Sequence, residues 1–184
     1  MKKKEKTMIL STVTDEVLPD RSVKAIPRIF DTAVKEGVTN FEIRMVEAKR
    51  FPLCEAQAWN RMKRYGEEYG ITFSTVSPGL FKPGLHNDLM PLHRDYLLSM
   101  SMDLAEAVGV KTVVVFGVER EPEDCDDDFY RVAELMRKAA EKPAERGFQI
   151  QLENLPGPWA DTSHTCPRLL HEVPHPSFCC IWAP

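Results

Sequence analysis

The sequence predicts an α/β protein built as a partial (β/α)8 TIM barrel, with about six βα units of parallel strands. Three observations carry this expectation. Gly37, Gly70, Gly109 and Gly147 each close a helix-like stretch and precede a run rich in β-branched or aromatic residues. They stand 33, 39 and 38 residues apart, a spacing that fits one strand–helix unit. The first strand leads into Ser11-Thr12-Val13-Thr14-Asp15-Glu16, which has no glycine. A dinucleotide-binding turn needs glycines there, and no phosphate loop of the Walker type occurs elsewhere.

The elements follow in order. Met8 to Val13 reads as the first strand. Pro27 suits a first helical turn, where its missing N–H is harmless. The runs after Gly37, Gly70, Gly109 and Gly147 supply strands two to five, and each glycine suits a left-handed helix end. Leu92 to Val108 is read as a helix with Leu92, Tyr96, Leu97, Met100, Leu104 and Val108 on its packed face. Met100 and Met102 are read as packing residues. Pro143 is expected to kink its helix or divide it. A helix over about 165–173 and a strand from Phe178 to Trp182 complete six units.

Composition bounds the function. The chain has 184 residues, 43% of them apolar, and a formal net charge of −4. The mild acidity disfavours a nucleic-acid groove, which needs clustered Lys and Arg. No apolar run reaches the ~20 residues that span a bilayer. Residues 1–184 are read as a single domain with a flexible tail over 1–7. Five cysteines without a C-x-x-C pair argue against a disulfide framework and for a reducing cytoplasm.

Carboxylates gather at predicted strand ends: Asp15 and Glu16, Glu42, Glu119, and Glu153. Barrel active sites are assembled at those C-terminal ends. Converging carboxylates suit a hard cation or proton transfer on a polyol. The acidic run from Glu121 to Asp128 is read as a solvated loop and helix start. Glu153 stands apart, because no charged residue lies nearer upstream than Arg146.

The segment Gln151-Leu152-Glu153-Asn154-Leu155-Pro156-Gly157-Pro158-Trp159-Ala160-Asp161-Thr162 resembles the fifth-strand motif of the xylose isomerase-like TIM barrels. These sugar phosphate isomerases and epimerases share their fold with a class of AP endonucleases. Ser11 to Val17 and Phe41-Glu42-Ile43-Arg44 resemble the first- and second-strand segments of the same family. The resemblance implies metal-assisted proton transfer next to a sugar carbonyl, on a sugar or sugar phosphate. It implies a divalent ion (Mn, Mg, Co or Zn) held by a Glu, an Asp, a His and a Glu from strands five to eight. The first ligand falls on Glu153, which is also the catalytic candidate. The sixth-strand pattern runs Trp-Asp-Pro-Gly-Asn, whereas Trp182-Ala183-Pro184 stands here, and an alanine methyl cannot ligate a metal. The chain is therefore expected to be an amino-terminal part of such an enzyme, with weak or absent metal binding and impaired chemistry. Its open sheet edges are expected to favour self-association.

Glu42, Arg44, Asn154, Trp159 and His86 are the substrate-binding candidates. Arg44 suits a phosphate or carboxylate, or else pairs with a neighbouring Glu. His86 either touches substrate at the mouth or sits on a surface loop, as does His93. Trp159 either walls the pocket or packs on its loop. The His and Cys residues between His164 and Cys180 lack the arrangement of a zinc finger; only His171 and His175 have a fitting spacing, and Pro174 takes them out of one helix. Two alternative functions remain in view: a binding or assembly protein on the same fold, and a metal nuclease like the AP endonucleases.

Overall fold

The computed structural model describes residues 9–18, 22 and 24–181. The tail expected over residues 1–7, and Trp182, Ala183 and Pro184, lie outside the described residues. Six strands form one sheet: β1 (Ser11–Val13), β2 (Asn40–Ile43), β3 (Thr72–Leu80), β4 (Thr112–Phe116), β5 (Gln149–Glu153) and β6 (Phe178–Ile181). Their order in space is their order in sequence, and every neighbouring pair is parallel. Helices fill the connections: α1 (Ala25–Lys35), α2 (Ala56–Tyr69), α3 (Leu98–Ala107), α4 (Asp126–Glu145) and α5 (Thr165–Glu172). This is the wall of a partial β/α barrel. Among the described residues β1 pairs only with β2, and β6 only with β5.

The repeat of glycines has a backbone cause. Gly37, Gly70, Gly109 and Gly147 have φ of +81°, +61°, +77° and +69°, the left-handed region that a Cβ disfavours. Each lets the chain leave a helix and turn back into the sheet.

Strand alternation divides the side chains. Phe41, Ile43, Ile150, Leu152 and Phe178 are buried in one apolar cluster with helix residues such as Phe30, Ala33, Val132 and Met136. Phe30 is a hub of that cluster. Its ring centre stands 5.0 Å from Phe41, 6.3 Å from Tyr65 and 6.4 Å from Phe73, all edge-on, which suits the ring quadrupoles.

Two local expectations change in part, and one element is additional. The fully buried face of α3 is Leu98, Ser101, Met102 and Ala105; of the expected face, Leu97, Leu104 and Val108 pack against the core half-buried, while Leu92 and Tyr96 are exposed. The cause is a π-helical turn, His93–Leu97, between a short helical start (Met90–Leu92) and α3. The wider turn rotates the following residues relative to a uniform 3.6-residue period. Helix α4 runs through Pro143 without dividing. Pro143 stands in the last turn, where little helix remains to be disturbed, and its own carbonyl accepts the N–H groups of Arg146 and Phe148. Finally, a short antiparallel hairpin, Met45–Val46 with Lys49–Arg50, follows β2 and carries Arg50.

Candidate active site

The sheet register places a row of residues at the C-terminal strand ends. Val13 pairs with Glu42, Phe116 with Glu153, and Glu153 with Ile181. Side chains at paired positions of parallel strands share a face. All five line one cavity of about 330 Å³, together with Glu16, Arg44, Arg50, Ser77 and Lys82. Outward neighbours such as Phe41 and Leu152 anchor the same strands in the core. The alternation that buries one set therefore aims the other into the mouth.

Three carboxylates and three cations meet there, with Glu16 already paired to Arg44. Burial pushes the Glu42 carboxyl above its usual range, against a 3.0 Å hydrogen bond donated by the Thr75 hydroxyl and the charges of Arg44 and Arg50. Burial also raises Glu153, and the like charge of Glu42 raises it further, against Lys82, Arg50 and Arg44. Glu153 thus senses the charge of Glu42, while the like charge that raises Glu42 is that of Glu16. Both folded values lie above the unfolded ones. Their contribution to stability is then fully present below the ordinary carboxylate range and is lost as pH rises through the raised values.

The cations are held differently. Arg44 grips the buried Asp15 through two nitrogens, with Nη2 at 2.8 Å, and reaches Glu16 at 2.7 Å. Arg50 has its value lowered, first by burial and then by the charge of Arg44. Its Nη2 makes a long 3.5 Å contact to the Ser77 hydroxyl. Its Nε is buried without a hydrogen-bond partner among the described residues. Gly79, at φ +75°, makes room for this guanidinium, since a Cβ there would stand 3.2 Å from Arg50 Nε. The Lys82 ammonium sits 4.2 Å over the ring of Phe116, and burial lowers its pKa.

The sequence candidates divide. Glu42, Arg44 and Glu153 share the mouth. Asn154 follows Glu153 and is half-buried, but its neighbour Leu155 is the one that lines this cavity. Trp159 packs away from it, buried beside Phe129 and under Arg120. His86 is exposed near Asp124 and Asp128. The Nδ1 of His93 accepts the backbone N–H of Phe81 at 2.9 Å, a loop-fixing role. Arg50 and Lys82 were missed by sequence reasoning. Lys82 stands two residues beyond β3, and that position was the available signal.

Among the described residues, the donors at the mouth do not fit a divalent cation. Glu153 is surrounded by three positive side chains, Glu16 is engaged by Arg44, and no trio of donors including Glu153 gathers among the described residues. No helix of the described residues is long and apolar enough to cross a membrane.

The chain matches the family model of the xylose isomerase-like TIM barrels over residues 30–181. A sequence comparison with curated proteins gives no match. Solved structures share the fold at low identity. The probable 3-DHS dehydratase AsbF of petrobactin synthesis from Bacillus anthracis aligns with TM-score 0.75 and 18% identity, over 94% of this chain and 62% of that one. An L-ribulose 3-epimerase gives TM-score 0.74 and 12% identity, over 94% and 60%. The 3-keto-D-glucoside 4-epimerase YcjR from E. coli gives 0.72 and 18%, over 95% and 67%. The chain thus spans about three fifths to two thirds of these proteins.

Proposed function

This chain belongs to the xylose isomerase-like TIM barrel family, and from that premise we propose that its mouth binds a sugar phosphate and moves a proton at the carbon beside the sugar carbonyl. The observation that carries this reading is the meeting of Glu42 and Glu153, both raised in pKa, with Arg44, Arg50 and Lys82 in one cavity. A carboxyl raised toward neutrality is a better proton acceptor and donor at working pH than an ordinary one. The epimerases of like fold support the choice of a carbohydrate. The three cations support an anionic one, and the unmet buried donor of Arg50 suits a phosphate oxygen.

In this reading the ionised Glu153 takes the carbon-bound proton. Negative charge grows on the former carbonyl oxygen, and Lys82 and Arg50 lie close enough in the cavity to offset it. A carboxyl then returns a proton either to the opposite face of the same carbon, which gives the epimer, or to the former carbonyl carbon while the neighbouring hydroxyl's proton passes to the enolate oxygen, which gives the isomer. The family's metal would use Glu153 as a donor, but the charge around that residue does not suit it, and no step is routed through one.

Proton NMR in D2O tests the proposal. Incubation of the chain with ketose phosphates should wash out the signal of the proton beside the carbonyl. No exchange with any ketose phosphate or free ketose, at any pH between 6 and 9, would contradict it. Arg50→Ala should weaken sugar phosphate binding about 10- to 100-fold, as expected for a lost charged hydrogen bond, while leaving a neutral sugar's affinity unchanged. Calorimetry with both ligands checks the difference.

A further inference from the structure

We propose a second site, apart from the mouth, in which His86, Asp124 and Asp128 hold a first-row divalent metal ion of the zinc type. One ligand atom from each of the three lies within 4.8 Å of the others. His86 Nε2 is 3.6 Å from Asp128 Oδ1 and 4.0 Å from Asp124 Oδ1. None of the three lines the mouth cavity.

The orphaned oxygen of Asp124 points to a cation. The Asp124 side chain is fully buried, at 0% exposure, and its Oδ1 has no hydrogen-bond partner among the described residues. Its other oxygen, Oδ2, accepts the Glu121 N–H at 2.9 Å, so the carboxylate is held in place with one oxygen unspent. Buried carboxylate oxygens are not left bare without cost. His86 Nε2, at 4.0 Å, is too distant to hydrogen-bond to it. An ion between them closes that gap. Ligands of a tetrahedral ion with bonds of ~2.0–2.1 Å stand roughly 3.3 Å apart, so the 3.6 and 4.0 Å separations from His86 Nε2 need small side-chain movements to close on an ion. A neutral imidazole with two carboxylates carries the charge that a dication offsets, and the nitrogen ligand favours zinc, cobalt or nickel over magnesium or calcium.

The fold prepares the trio. His86 lies in the loop after β3, and the two aspartates lie in the loop and first turn after β4. Backbone bonds tie the loops together: Val118 N–H to the Phe81 carbonyl at 3.0 Å, and Glu119 N–H to the Pro83 carbonyl at 3.3 Å. Asp128 Oδ2 is fixed by the Cys125 N–H at 3.0 Å. Arg131 donates to Asp128 Oδ1 at 2.9 Å. Its side chain is 65% exposed and free to swing out when an ion binds. The competing account is a direct polar contact of His86 with the two aspartates and no ion.

Cobalt(II) titration of the reduced chain of 184 residues, read by visible absorption and calorimetry, decides between them. One equivalent should bind and give the intense d–d bands of a low-coordinate ion. Zinc should displace it. His86→Ala should weaken binding at least tenfold, and Asp124→Asn likewise. Glu153→Gln should leave it unchanged. No saturable binding, or binding untouched by His86→Ala, overturns the proposal. So does a strong near-ultraviolet thiolate band, which would place the ion on the cysteines. His86 is exposed, so His86→Ala keeps the test decisive even if Asp124→Asn fails to fold.

Discussion

Glu153→Gln is expected to slow the exchange of the substrate's carbon-bound proton with solvent deuterium by about 10²- to 10⁴-fold, the usual range for removing a positioned acid–base group. The amide keeps the size and hydrogen-bonding edge of the carboxyl but cannot accept the proton. Glu153 ends β5 in register with Phe116 and Ile181, so its place is set by the sheet rather than by a loop. Affinity for the same sugar phosphate should stay near the wild-type value, because the loss falls on the transition state. Wild-type exchange should rise with pH through the raised Glu153 value, as the base ionises. An equal loss of binding and exchange would make Glu153 a binding group only.

Phe30→Ala is expected to destabilise the fold by about 3–5 kcal/mol, the range for emptying a buried aromatic site. Phe30 is fully buried and touches rings from α2, β2 and β3. The resulting void cannot collapse easily, since those rings are anchored on separate elements. A domain of this size has ~5–15 kcal/mol in hand, so the loss is a large share of the total. A urea titration should show a lower midpoint with little change in slope. The effect reaches the site through one residue: Phe41, the nearest ring to Phe30, precedes Glu42 on β2.

Much of this was legible in local pattern. The left-handed glycines repeat at the length of one strand–helix unit, so the parallel sheet follows from backbone sterics and spacing. The strand-end positions of Glu42, Arg44 and Glu153 follow from the same reasoning. What lay hidden depends on distant pairing. No local signal shows that the hairpin after β2 brings Arg50 beside Ser77, or that Gly79 clears space for it. The π turn before α3 changed its buried face without any proline or glycine inside the turn to announce it. Trp159 follows the fifth-strand motif closely, yet its side chain turns toward Phe129 on α4 and leaves the mouth. The acidic run that ends at Asp128 reads as solvated, and the burial of the Asp124 side chain emerges only when the loop is folded.

The convergence of two carboxyls on one cavity is tested most directly by following the side-chain 13C signals of the glutamates against pH. The account predicts that Glu42 and Glu153 titrate above the ordinary carboxylate range, and that Glu42→Gln lowers the Glu153 midpoint by removing a neighbouring negative charge. A Glu153 midpoint in the ordinary carboxylate range, unmoved by Glu42→Gln, would show that the two groups do not share a site.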